Sequence, residues 1–234
     1  EKYFGSLVGE MVPVVRSVGD PVQLGEKRIK IKAPAKEPYL LMGYKSTAIS
    51  HASEAWEPYA LEMLSSVLDS GASSRISRNL VRGSHVAASA GASYSAFSRL
   101  PGMLLLDGIP AQGHAVEELE QAILAQVQQL RDEPVLESEL ESIRNQLIAA
   151  KVYEKDSISV QARQIGSLET VGLGWRLMDE YVTRLTKITP EQIQAVARKY
   201  LIPENLTVAQ LEPLPLDSRQ HRLPINGNHI HARQ

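Results

Sequence analysis

The chain predicts an α+β domain: a mostly antiparallel mixed sheet with helices packed on one face. Three observations carry that reading. Short alternating or apolar runs cluster before residue 111 and again after residue 205, whereas stripes of helical period fill most of the chain between them. Strands grouped apart from helices argue against a doubly wound parallel sheet, in which the two alternate. Thr189-Pro190-Glu191-Gln192 is a strong helix start, with Thr as cap, Pro at the first helical position and Gln three residues after the cap.

In order along the chain, Glu1 to Gly5 (EKYFG) reads as the last turn of a helix with a glycine cap. A similar phrase, Arg198-Lys199-Tyr200-Leu201, closes the last helix, so the two read as the ends of two copies of a duplicated unit, the first of them cut away. Ser6 to Lys27 is rich in Gly, Pro and Val without helical period and reads as an extended linker. Arg28 to Ala33 (RIKIKA) alternates as a half-exposed strand does, and Tyr39 to Tyr44 (YLLMGY) is a short buried strand. Leu61, Leu64, Val67 and Leu68 form the stripe of a helix with Pro58 in its first turns. A turn at Asp69-Ser70-Gly71 leads into a second, short helix ending near Gly83.

His85 to Ser95 and Gly102 to Pro110 are two further strands, the first made of small residues and the second apolar. Ala115 to Arg131 is amphipathic, with Val116, Leu119, Ile123, Val127 and Leu130 on one face. Pro134 opens a helix whose stripe is Leu136, Leu140, Ile143 and Leu147 and whose signal runs on to about Thr170, until Gly172 and Gly174 break it. Trp175 to Leu185 is another helix. In the last, Ile193, Val196, Ala197, Tyr200 and Leu201 face the core, and Pro203 ends it. Leu206 to Leu211 is the final strand. The expected organisation is 1–27 as helix end and linker, 28–215 as the domain, and 216–234 as a flexible tail.

Composition removes several classes of chemistry. The 234 residues contain no cysteine, which excludes disulfides, thiolate zinc sites and cysteine nucleophiles. A formal net charge of −2 with mixed signs provides no basic field for nucleic acid. No apolar run approaches the roughly 20 residues needed to span a bilayer.

The candidate chemistry is sparse. His51-Ala52-Ser53-Glu54-Ala55 is a broken version of a zinc motif that requires two imidazoles at i and i+4 on one helix. Ala55 stands in the second histidine's place, and a loop histidine is the plainer reading. The matching place in the first long helix, Glu62 to Ser66, holds no histidine. His114 precedes a helix as a cap or surface residue; His229 and His231 lie in the tail. Ser73-Ser74 and Ser84-His85 bring hydroxyls near a base in sequence, but no G-x-S-x-G elbow surrounds them. The acidic run Glu117, Glu118 and Glu120 reads as a solvated helix face. Gly71 and Gly83 lack the spacing and the lysine of a phosphate loop.

Ser73 to Val81 (SSRISRNLV) resembles the S-R-L-x-x-x-L segment in the carboxy-terminal half of the pitrilysin/insulinase family of zinc metallopeptidases, in its bacterial two-domain members. The likeness extends over Arg28 to Pro215 and takes in Leu104 to Pro110, the helices beginning near Ala115 and Leu136, and ITPEQIQAVARKYL with NLTVAQLEP. It implies two similar α+β halves closing around a chamber that takes in unfolded peptides. The missing amino-terminal half would carry His-x-x-Glu-His and the zinc, and this half would be non-catalytic. No His-x-x-Glu-His exists in this chain. The family's second half often holds substrate with an arginine and a tyrosine; here Val81 and Ala88 stand in those places. Arg82, Ser84 and His85, where the short helix turns into the small-residue strand, are the substrate-contact candidates. The partners implied are the amino-terminal half, a peptide substrate and a second homologous chain, and the compartment implied is the bacterial periplasm or cell envelope. The alternative is a structural or assembly domain of the same fold with no peptidase activity in the parent; an unrelated α+β binding module is the third possibility.

Overall fold

A computed structural model of the chain describes residues 5–6, 21–154 and 156–216. Glu1–Phe4 of the expected helix end, most of the linker and all but the first residue of the tail lie outside the described residues. Within them, five strands form one sheet: β1 (Lys27–Pro34), β2 (Tyr39–Lys45), β3 (Ala87–Ser93), β4 (Met103–Pro110) and β5 (Leu206–Leu214). The order is β1-β5-β2-β4-β3, with only the β1–β5 pair parallel. The α+β class and the mostly antiparallel mixed sheet are therefore as the sequence predicts.

Register shows why one face is covered. Met42 lies opposite Leu106 and Val208, and Tyr44 opposite Leu104 and Leu206. All six are buried. Their neighbours one residue along point to the other face, where Leu41 pairs with Asp107 and Ala209. There Ile29 and Ile31 remain 47% and 48% exposed, and Tyr39 Oη donates to Asp107 Oδ2 at 2.7 Å.

The helices are α1 (Glu57–Leu68), α2 (Val116–Asp132), α3 (Glu137–Glu154), α4 (Ile158–Thr170), α5 (Leu177–Thr186) and α6 (Pro190–Tyr200). α1 is buried well beyond the predicted stripe, because it lies in contact with β3 on one side and with α3, α5 and α6 on others. α6 starts with both arms of the capping box: Gln192 N–H donates to Thr189 Oγ1, and Thr189 N–H donates to Gln192 Oε1.

Several local expectations change. β1 is exposed on both faces rather than half-exposed, because it is an edge strand. The short helix is a π-helical turn, Ser77–Val81. Helical signal to Thr170 divides into α3 and α4, and Ser157 caps the second by accepting from Val160 N–H. Leu136 precedes the first turn of α3 and is 70% exposed instead of joining its stripe. In the linker, Gln23 is buried and its Nε2 donates to Leu206 O at 2.7 Å, which ties the chain before β1 to the start of β5.

Candidate functional site

Arg82, Ser84 and His85 sit together on the turn between the π-helical turn and β3, and all three are exposed. The backbone that holds them is tightly specified. Arg82 N–H donates to Ser77 O at 3.0 Å and Ser84 N–H to Asn79 O at 2.9 Å, each five residues back, the spacing of a π turn. Gly83 is required between them: a Cβ there would lie 2.8 Å from Asn79 O and 2.9 Å from Arg78 O. His85 has φ of 56°, a left-handed conformation uncommon for a residue with a side chain. The Arg82 guanidinium donates to Ala72 O and so folds back on the preceding loop. Of the residues in the arginine and tyrosine places, Val81 is half-buried and Ala88 exposed, and neither offers a cation or a phenol.

The SSRISRNLV segment is what anchors this turn. Ser74 Oγ donates to Gly71 O at 2.7 Å, closing the turn after α1, where Gly71 supplies the positive φ of 120°. Arg75 is buried and donates twice to Glu139 on α3, at 3.0 and 2.8 Å. Ile76 and Leu80 are in the core. The segment thus clamps the π turn between core and α3; its serine and arginine are architectural.

Sequence reasoning missed a second cluster, between α1, α5 and the end of β3. Burial pushes the carboxyl of Glu62 up from its ordinary value, against a hydrogen bond from Tyr181 and the charge of Lys151. Tyr181 is itself held far above the usual phenol range, first by burial and then by the charge of Glu62. Phe97 and Tyr59 pack against the Tyr181 ring, with centroids 4.8 and 5.7 Å away, and Lys151 Nζ lies 5.7 Å above its centroid. Tyr94 Oη donates to Thr47 O at 2.8 Å, tying that strand end to the chain after β2. The only signal of this cluster in the sequence is a glutamate flanked by Leu61 and Met63. Glu62 is a carboxyl able to hold a proton, but no imidazole or nucleophile accompanies it in these contacts.

A second glutamate was misread. Glu120 is not on a solvated face: its side chain is 2% exposed, receives two hydrogen bonds from Arg28 at 2.5 and 3.1 Å, and a third from Gln210 Nε2 at 3.0 Å. It borders the apolar stripe of α2, over β1 and β5, and the basic alternation of β1 supplies its partner. His114, by contrast, is a surface residue paired with Glu118 at 2.5 Å, and His51 lies on an exposed turn before α1, its Nδ1 2.8 Å from Ser50 Oγ. Among the described residues no group of three His, Asp or Glu side chains is placed to hold a metal ion, and no helix is long and apolar enough to cross a membrane.

Residues 1–147 match the family described as the peptidase M16 inactive domain. The chain belongs to that family, the non-catalytic carboxy-terminal domain of pitrilysin-type proteases. Its fold is similar to that of a protease from Helicobacter pylori, with a TM-score of 0.81 and 21% identity over 91% of this chain and 51% of that one. An inactive peptidase domain from Bordetella parapertussis is similar over 82% of this chain and 99% of its own, with a TM-score of 0.68 and 17% identity. A chain in complex III2 from Candida albicans also shares the fold, with a TM-score of 0.65 and 11% identity over 80% of this chain and 46% of that one. This chain therefore spans about half the length of the Helicobacter pylori protease. No curated protein matches it.

Proposed function

We propose that this chain forms one wall of a closed chamber in which a zinc metalloendopeptidase degrades peptides, the zinc being held by an amino-terminal half outside this sequence. The observation that carries the reading is the match of residues 1–147 to the inactive domain, together with the absence of any His-x-x-Glu-His in the 234 residues. Residues 28–215 are the wall and 216–234 a tail. The zinc-bearing half is the first partner, and a second homologous chain completes the substrate grip that Val81 and Ala88 do not supply. A charged donor to a substrate carbonyl contributes roughly 1.5–3 kcal/mol, so its absence weakens binding about tenfold to a hundredfold unless the other chain makes it good. Arg82, Ser84 and His85 lie between those two places in the chain, and the engagement of Arg82 with Ala72 O argues for a minor role.

The test is reconstitution. The parent protein, carrying this half and its zinc-bearing half, should cleave an unfolded peptide in a zinc-dependent way. In it, Arg82→Ala and His85→Ala should each keep turnover within about threefold. A loss of about a hundredfold from either, with the fold intact, assigns the substrate grip to that residue instead. The likeness to a chain of complex III2 favours a second reading, an assembly domain in a parent without peptidase activity. A parent first half lacking His-x-x-Glu-His decides for that reading.

A further inference from the structure

We infer that the groove between the first turn of α2 and the strands β1 and β5 binds a free α-amino acid with an apolar side chain, its carboxylate on Lys30 and its ammonium on Glu117 and Gln210. The inference does not depend on the chamber reading and holds equally for an assembly domain.

The sheet register builds the groove. Arg28 of β1 lies opposite Val208 of β5, which is buried, and Lys30 lies opposite Gln210. Residues two apart on a strand share a face, so Lys30 and Gln210 stand on the side of the sheet that the helices cover. Glu120, from α2, ties Arg28 and Gln210 together. One turn earlier on α2, at Val116 and Glu117, the space over the strands is a cavity of about 310 Å³ that Lys30, Gln210 and Pro38 also border. Small-molecule sites begin at roughly 300 Å³.

Three unmet groups line it. Gln210 is 7% exposed, and its Nε2 is committed to Glu120, a carboxylate that fixes which end of the amide is the donor. Among the described residues its Oε1 accepts no hydrogen bond. Lys30 and Glu117 form no ion pair or hydrogen bond among the described residues, whereas Arg28 and Lys32 on the same strand are both paired. α2 also begins without a side-chain cap, so the N–H groups of Val116 and Glu117 have no acceptor among the described residues, and the positive end of the helix adds to the charge of Lys30.

That pattern selects a zwitterion. A ligand carrying only a negative charge meets Glu117, and one carrying only a positive charge meets Lys30. A ligand with both gives its carboxylate to Lys30 and the helix N–H groups and its ammonium to Glu117 and the buried Gln210 Oε1. Val116 and Pro38, each half-buried, leave apolar surface for its side chain.

The probe is leucine, titrated calorimetrically into the full chain. Saturable binding with a dissociation constant of about 1 mM or below is expected. Leucinamide lacks the carboxylate and N-acetylleucine lacks the ammonium, and each should bind at least about tenfold more weakly. Lys30→Ala should narrow the gap between leucine and leucinamide at least about threefold, and Glu117→Gln the gap between leucine and N-acetylleucine by as much. Both positions are exposed, so neither substitution threatens the fold. Gln210→Leu should weaken leucine at least about tenfold, and the Lys30 and Glu117 variants decide where it fails to fold. No saturable binding by about 10 mM leucine overturns the site. Either analogue binding as well as leucine overturns the zwitterion. Unchanged gaps in both Lys30→Ala and Glu117→Gln place the leucine elsewhere and overturn the assignment to this groove.

Discussion

β1 carries Lys27, Arg28, Lys30 and Lys32 within eight residues, and β3 carries no charged residue within seven. Both are outer strands of the same sheet. On the β1 side, Arg28 reaches over the sheet to a buried glutamate, and lysines stand along the edge. On the β3 side, a single aspartate from the end of α1 covers one amide. Lysine on an edge blocks a second chain because pairing would strip water from the ammonium; alanine and glycine impose no such cost. The difference teaches that edge protection here is local to one side, and that the unprotected side is the one the π-turn loop adjoins.

The largest expected effect lies on the guarded side. Glu120→Ala leaves Gln210 Nε2 without an acceptor in a buried place and releases Arg28. We expect a loss of about 3 kcal/mol, read from urea unfolding, since removing one partner of a buried hydrogen-bonded network costs more than an exposed pair contributes. A loss under about 1 kcal/mol would mean that the β1 corner is held by strand pairing alone. On the open side the corresponding lesion is steric. A Cβ on Gly108 would lie 2.9 Å from Ser89 O, 3.0 Å from Ala90 Cβ and 3.1 Å from Leu119 Cδ2. Gly108→Ala should cost about 2 kcal/mol and push β3 away from β4, visible as faster amide exchange at Gly91 and Ser93.

The pH dependence separates the sides further. Burial raises the Glu62 carboxyl above its ordinary value of 4.5, with Tyr181, Lys151 and the Ala96 backbone opposing it only in part, while Tyr59 and Tyr94 close the same cluster. A carboxyl with a raised folded-state value contributes stability that is fully present below the unfolded value and is lost as pH rises through the folded one. Glu62→Gln has no proton to lose, so the melting temperature of the variant relative to the parent chain should climb as pH rises above the ordinary carboxyl value of 4.5. Parallel melting curves across that range would show that Glu62 is solvated.

The fold was legible wherever a single element decides its own fate. The alternation of RIKIKA, the stripe of α2 and the Thr189–Gln192 box are local patterns, and each stands close to where it was placed. The resemblance of SSRISRNLV to a known segment located the π turn, yet Arg75 and Ser74 proved to be its braces rather than its chemistry. Pairings between distant elements were not legible. Glu120 with Arg28 spans 92 positions, and nothing in the acidic run distinguishes it from Glu117 and Glu118 until β1 is laid beside α2. Glu62 was invisible for the same reason, because its cluster assembles from α1, α5 and the end of β3. Whether a strand is an edge depends on the order of the whole sheet, so the exposure of β1 and the openness of β3 could not be read from their own residues.

The smallest expected effect tests the aspartate at the open edge. Asp69 closes α1 through its backbone, whose N–H donates to Ser65 O at 2.8 Å, and that bond does not involve the side chain. The carboxylate makes an exposed hydrogen bond to Ala92, for which about 0.5 kcal/mol is the proper scale. Asp69→Ala should therefore shift the unfolding midpoint barely at all. Its local signature should be specific: the Ala92 amide loses its acceptor and exchanges faster, while the other amides of β3 keep their rates. Uniform acceleration along β3 would mean instead that Asp69 holds the whole strand in place, and the contrast between a guarded edge and an available one would then reduce to two ways of pinning an outer strand.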